Sequence, residues 1–376
     1  MQLHLSDEQR LLCDEARDFL ARHCSPADVL RWQREGVVRP ADLWKRMADL
    51  GWLGLGISEA DGGLGADFFD LALLHQACGR ALVPTLFAAT TGAALAIAAG
   101  GSAAQRGRYL PAIARGDTTA TLAVAEPDAV YDLDRMAAAL TRREGGYVLA
   151  GRKALIEGGG DADLLVVAAR SPGAGPARGG LALVVVPRAT AGVRVTRVAT
   201  FGDHPAADLE LADVAIDAEA VLDAARDARA TLDDVLLRRT VLACAEMVGG
   251  LERVLELTAE YVKGREQFGR PIGSFQAVQH ALADMATALE GARYATYQAA
   301  WRLARQLPAA REVAVAKAWT SPAYKQATLT AHQLHGGMGF VTEYPLHLYS
   351  NHAKACEARF GAADRHLEIV AAALGL

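Results

Sequence analysis

The 376-residue sequence predicts a mainly α chain with a central β domain: a helical N-terminal domain, a β domain, then an antiparallel helical bundle. Three observations predict this order. Apolar residues recur at helix spacing from Ser6 to about Asp117. Short β-branched runs between Gly, Pro and Asp take over around Thr118. Long helical stretches return from about Ala224. Strand and helix do not alternate one by one, which excludes a doubly wound sheet. The domains expected are 1–117, 118–223 and 224–376.

In the first domain Ser6 and Gln9 have the spacing of a capping box, and Leu11, Leu12, Phe19 and Leu20 fall at helix spacing after them. The stretch 87–101 is shorter than the ~20 residues of a membrane span. Its Ala, Gly and Thr content predicts a tightly packed buried helix instead. In the second domain 121–124, 147–149, 163–167, 180–186 and 193–195 read as strands, 142–146 as a hairpin, and 171–180 as a Gly/Pro-rich surface loop. In the third, 231–264, 274–306 and 309–334 read as long helices, the last kinked at Pro322. Short connections between long helices imply antiparallel neighbours.

A hydrophobic fraction of 52% supplies a substantial core, which excludes a disordered or fibrous chain. Lys plus Arg is 39 against 44 for Asp plus Glu, with no basic block to neutralise a phosphate backbone, so no nucleic-acid partner is expected. Cys13, Cys24, Cys78, Cys244 and Cys356 are odd in number and scattered, without C-x-x-C. They read as five buried thiols in a reducing compartment. The first eight residues lack the cationic and apolar blocks of a signal peptide, so the expected location is cytoplasmic, with no membrane span. No G-x-G-x-x-G follows a strand, and neither a P-loop nor a G-x-S-x-G elbow occurs. His332, His335, His347, His352 and His366 crowd the C-terminal region without H-E-x-x-H or His–carboxylate spacing, so no metal is expected.

Three segments together resemble the acyl-CoA dehydrogenase family of flavoproteins along essentially the whole chain. The first is Gly51-Trp52-Leu53-Gly54 with Glu59-Ala60-Asp61-Gly62-Gly63-Leu64-Gly65. The second runs from Tyr261 through Arg265-Glu266-Gln267-Phe268-Gly269-Arg270-Pro271-Ile272 to Phe275-Gln276. The third is Gln333-Leu334-His335-Gly336-Gly337-Met338-Gly339-Phe340, ending at Pro345. Taken singly, the second could be a helix stop and the third a C-cap. Their chemistry also suits a dinucleotide. An Arg at a helix end gives a pyrophosphate a cationic fork, and glycines let backbone amides approach it closely. The resemblance implies a β-barrel-like middle domain and a C-terminal four-helix bundle. It further implies that Arg265, Gln267 and Phe268 hold the ADP half of FAD, that Ile272 and Phe275 line the adenine, and that Gln333, Gly336 and Gly337 close over it. In the family these groups reach across a subunit interface into a neighbour's flavin, which implies an oligomer. An electron-transfer protein is the implied acceptor.

The family's reaction is α,β-dehydrogenation of an acyl-CoA thioester, in which a carboxylate takes the α-proton and the flavin takes the β-hydride. The usual base position falls on Phe360, before Gly361, and the alternative used by some relatives falls close to Arg239. Neither is a carboxylate. Glu246 is the nearest candidate for the catalytic base, the one charge between Thr240 and Leu251. Burial there is expected to raise its pKa. A buried Glu paired with an Arg is the alternative reading. Around the flavin ring, relatives carry Thr-Glu-Pro, Gly-Ser-Asp and, after Gly-x-Lys, a Trp. This sequence has Ala125-Glu126-Pro127-Asp128 and Gly151-Arg152-Lys153-Ala154-Leu155. Three functions remain open: a self-sufficient acyl-CoA dehydrogenase, a subunit of a heteromeric one with a second dehydrogenase-like chain, or a non-catalytic FAD-gripping or scaffold protein.

Overall fold

The computed structural model describes residues 4–171, 180–201, 205–222 and 227–376. Among the described residues six helices come first: α1 (Asp7–His23), α2 (Pro26–Glu35), α3 (Ala41–Asp49), α4 (Phe68–Ala81), α5 (Leu86–Gly100) and α6 (Ala103–Ala114). Seven strands follow among the described residues: β1 (Ala120–Ala123), β2 (Ala139–Arg143), β3 (Gly146–Glu157), β4 (Leu164–Arg170), β5 (Leu181–Pro187), β6 (Val193–Val198) and β7 (Ala206–Ile216). The C-terminal part holds α7 (Ala228–Gly264), a hairpin of β8 (Glu266–Gln267) and β9 (Arg270–Pro271), then α8 (Gln276–Ala304), α9 (Ala310–His335), α10 (Leu346–Ala358) and α11 (Ala363–Ala373). The mainly α fold with a central curled sheet is the one the sequence predicts. By packing, the chain forms two units: Met1–Arg31 with Asp67–Val83 and Leu237–Leu376, and Trp32–Ala66 with Pro84–Leu236.

The second unit is built on the sheet, whose order is β1-β4-β2-β3-β7-β6 with β5 branching from β4. β4 lies parallel to β1 and antiparallel to β5. Alternate residues of these strands enter two cores. Val166, Ala168, Leu183 and Val185 pack with Ala93, Ile97, Leu110 and Ile113 of α5 and α6. Leu165, Val167, Ala169, Val184 and Val186 pack with Leu149, Leu209 and Val214 on the other face. A strand covered on both faces needs no polar alternation, which is why β4 and β5 read as unbroken apolar runs. α5 is buried nearly all round, as its small residues predict. β2 and β7 are additions to the expected strands. In β7 the exposed Asp208, Glu210 and Asp213 alternate with buried Leu209, Leu211 and Val214, so charges interrupt the apolar signal. The expected hairpin at 142–146 joins β2 to β3, while the core of the expected loop at 171–180 lies outside the described residues.

In the first unit the expected capping box forms: the Ser6 side chain accepts from Gln9 N, and the Gln9 side chain accepts from Ser6 N. α9 continues through Pro322 as one helix, and α10 and α11 pack on it beyond the three long helices that periodicity picks out. α4 and α7 cross at backbone contact. A Cβ on Gly79 would stand 2.1 Å from Glu246 O, and one on Gly249 would stand 1.9 Å from Gln76 O. Only glycine permits this approach, and it sets His75 of α4 against Glu246 of α7. Four cysteines are buried and Cys13 is only partly so, which corrects the expectation of five buried thiols.

Candidate functional site

α7 ends in the segment that the sequence marks as its second motif. The β8–β9 hairpin turns on Phe268 and Gly269, with φ of 55° and 79°, the paired positive angles of a type I′ turn. A phenylalanine there is strained, and its ring is 93% exposed. Phe275 meets that ring edge-on at 6.2 Å, and the Arg270 guanidinium lies 4.2 Å over Phe275. Ile272 is half-buried behind them. Arg265 and Gln267 are exposed; the Gln267 side chain reaches back to Glu266 O, at 2.8 Å.

The third motif begins where α9 stops, at Gly336. Its φ of 56° and ψ of −135° suit only glycine, and a Cβ on Gly336 or Gly337 would meet nothing within 4 Å. The two motifs adjoin. Tyr261, one turn before Arg265, stacks on His335 at 4.3 Å, and its hydroxyl donates to His335 O at 3.3 Å. One end of the unit therefore presents an exposed Arg265, an exposed aromatic turn, the exposed Gln333 and two glycines bordering open space. A dinucleotide needs a cation, close backbone and apolar faces, and these residues fit it.

The base positions give a different result. Phe360 follows α10 in a left-handed conformation, φ 58°, and the Arg239 guanidinium lies 5.1 Å over its ring. The Arg359 guanidinium lies 5.8 Å from the same ring. The two positions counted from sequence thus converge in space, and they hold a cation and an aromatic ring. Glu246 is buried beside them, with Oε2 accepting from Arg359 Nη1 at 2.8 Å and Oε1 accepting from His75 Nδ1 at 3.0 Å. Burial pushes its carboxyl up, as expected, but the Arg359 guanidinium and the His75 hydrogen bond outweigh burial. The carboxyl is held well below the usual carboxylate range, which corrects the expected direction. The expectation failed because it counted desolvation and lacked the distant cation.

Glu246, His352 and Cys356 also bring three metal-capable side chains within 4.8 Å. Arg359 already supplies the cation of this group, 2.8 Å from Glu246 and 3.5 Å from Cys356 Sγ. Burial pulls His352 down to about 4 and pushes Cys356 up to about 11, so both are neutral and the Glu246–Arg359 pair is balanced.

In the sheet unit Glu126 and Lys153, from the surviving Glu-Pro and Gly-x-Lys, form a buried pair at 2.7 Å. Glu126 also accepts from Ala137 N and Ala138 N, and Lys153 also donates to Val124 O. Next to Lys153, β3 bulges, and Leu155 stands 60% exposed with φ 53° in the stretch where relatives carry the Trp. Sequence reasoning missed His75, Arg270 and Arg359. No local signal marks the first and last, whereas Arg270 sat inside the quoted motif.

Family models of the acyl-CoA dehydrogenase N-terminal, middle and C-terminal domains match residues 6–117, 121–214 and 236–375. Acyl-CoA dehydrogenase FadE27 of Mycobacterium tuberculosis is 34% identical to the chain, over 87% of it and 86% of the relative. Among solved structures, the FAD complex of PigA superposes with a TM-score of 0.93 at 28% identity, covering 100% of both chains. A chain of the ChsE4-ChsE5 complex from Mycobacterium tuberculosis superposes with a TM-score of 0.88 at 30% identity, covering 100% of this chain and 99% of that one.

Proposed function

The chain belongs to the acyl-CoA dehydrogenase family, and on that premise we propose that it serves FAD-dependent α,β-dehydrogenation of an acyl-CoA as one subunit of a mixed assembly whose other member carries the base. The carrying observation is the occupancy of the base positions. Phe360 and Arg239 stand there, and the nearby carboxylate of Glu246 is tied to Arg359 and His75. A carboxylate held ionised by a guanidinium is a weak proton acceptor. Of the groups that by resemblance serve a neighbour's flavin, Arg265, Gln267, Phe268, Gln333, Gly336 and Gly337 are by contrast exposed, with Ile272 and Phe275 half-buried beside them. The likeness to a chain of a two-name complex agrees with such an assembly.

Bound FAD supplies the acceptor for the β-hydride. In this reading Arg265 neutralises the pyrophosphate and the amides at Gly336 and Gly337 approach it. Phe268, Ile272 and Phe275 cover the adenine, while Gln267 and Gln333 give polar contacts. The partner is a second chain of the same family, and an electron-transfer protein takes the electrons. The test is rapid anaerobic mixing of the assembly with acyl-CoA while flavin bleaching is followed. Exchanging the partner's carboxylate for its amide should abolish bleaching with FAD still bound. Undiminished bleaching would place the base in this chain.

A further inference from the structure

We propose that Glu246 is a positioning residue that acts through Arg359 to clamp the turn carrying Phe360, keeping an aromatic ring in the place where relatives keep a proton acceptor. The inference stands on this chain's own geometry and does not depend on the mixed assembly.

The turn needs holding. Phe360 and Gly361 take successive positive φ values of 58° and 96°, and a left-handed phenylalanine is costly unless its surroundings fix it. Each part of the turn has a separate restraint. The Phe360 carbonyl accepts from His366 Nε2 at 3.0 Å, and its ring lies under the guanidiniums of Arg239 at 5.1 Å and Arg359 at 5.8 Å. Arg359 must be held if it is to press on the ring. Glu246 Oε2 does this at 2.8 Å, with Cys356 Sγ at 3.5 Å from the same nitrogen. Glu246 itself has no room to shift. His75 Nδ1 engages its other oxygen at 3.0 Å, and the α4 backbone at Gly79 abuts the backbone of Glu246. The line from the α4–α7 crossing to the Phe360 ring is thus continuous, through one charge-assisted bond.

The groups facing Glu246 explain why a carboxylate is used. A neutral amide would keep the shape and lose the charge that orients the guanidinium plane. Burial keeps His75 and His352 neutral, so Arg359 is the partner that carries the charge.

A Phe360→Trp chain gives the clamp a spectroscopic reporter, read as the difference in emission from the wild type with its five tryptophans. Adding Glu246→Gln should raise acrylamide quenching of the new indole by about two-fold or more, because the released guanidinium no longer covers it. Arg359→Met should do the same, and the two together should add nothing further, since both cut one link. An indole unmoved by Glu246→Gln, or moved equally when Arg359 is already Met, overturns the proposal. If Phe360→Trp does not fold, amide exchange in the otherwise native chain replaces it. Glu246→Gln should then speed exchange roughly tenfold within residues 359–362 alone. No acceleration there, or an equal one along the whole chain, overturns the clamp.

Discussion

Lys153 and Glu126 show what a surviving motif residue can mean at the scale of one side chain. The pair is buried, and each partner is also bonded to backbone, so removing one charge strands the other. Lys153→Met should cost about 3–5 kcal/mol in denaturant unfolding, and Lys153→Met with Glu126→Gln should recover part of it. Arg265 is the opposite case, an exposed cation with little to stabilise in its own chain. Arg265→Ala should leave the unfolding midpoint in place and weaken FAD affinity of the assembly about 10- to 100-fold, measured by flavin titration. His352 gives a pH signature. Burial holds its folded pKa at about 4, below its ordinary 6.5, so between those values the unfolded chain binds a proton that the folded chain refuses. Stability present above pH 6.5 should fall as pH drops toward 4, by on the order of 3 kcal/mol, and His352→Gln should flatten that slope in unfolding curves. Residue by residue, the sequence was legible where partners are local. The Ser6–Gln9 box could be read because its members are three apart. The charge state of Glu246 could not, because Arg359 and His75 lie 113 and 171 residues away.

At the scale of elements, the crossing of α4 and α7 depends on Gly79 and Gly249. Gly249→Ala would put a methyl on Gln76 O, forcing the helices apart, and should destabilise by about 1–3 kcal/mol or more. Gly107 of α6 makes the control. A Cβ there meets nothing within 4 Å, so Gly107→Ala should stabilise by roughly 0.5–1 kcal/mol on helix propensity. Comparing the two in thermal or chemical unfolding separates a packing glycine from an idle one. Sequence alone does not separate them, since both read as glycine inside a helical pattern. Strands followed the same logic. β4 and β5, covered on both faces, announced themselves as apolar runs, while β7 hid its alternation behind Asp208, Glu210 and Asp213. The β8–β9 hairpin went unread, the segment having been marked only as a motif or a helix stop, because two-residue strands leave no periodicity.

For the whole molecule, the pattern is an asymmetry between what is exposed and intact and what is closed. The Arg265 hairpin and the Gly336–Gly337 loop share one end of the helical unit through Tyr261 and His335. The base positions at Arg239 and Phe360 meet as a cation over a ring. The domain order could be read from periodicity, and the family with its flavin chemistry from the resemblance that contiguous motifs carry. The two base positions could be counted in the sequence, but their meeting beside Glu246 could not, because Arg239, Phe360 and Glu246 come together only in space. The most direct measurement is flavin content and turnover of the purified chain, alone and co-expressed with a base-carrying member of the same family. Expressed alone, it should hold well under one FAD per chain and oxidise acyl-CoA barely if at all, with the partner restoring both. A homo-oligomer of this chain that holds one FAD per subunit and turns over an acyl-CoA would contradict the account.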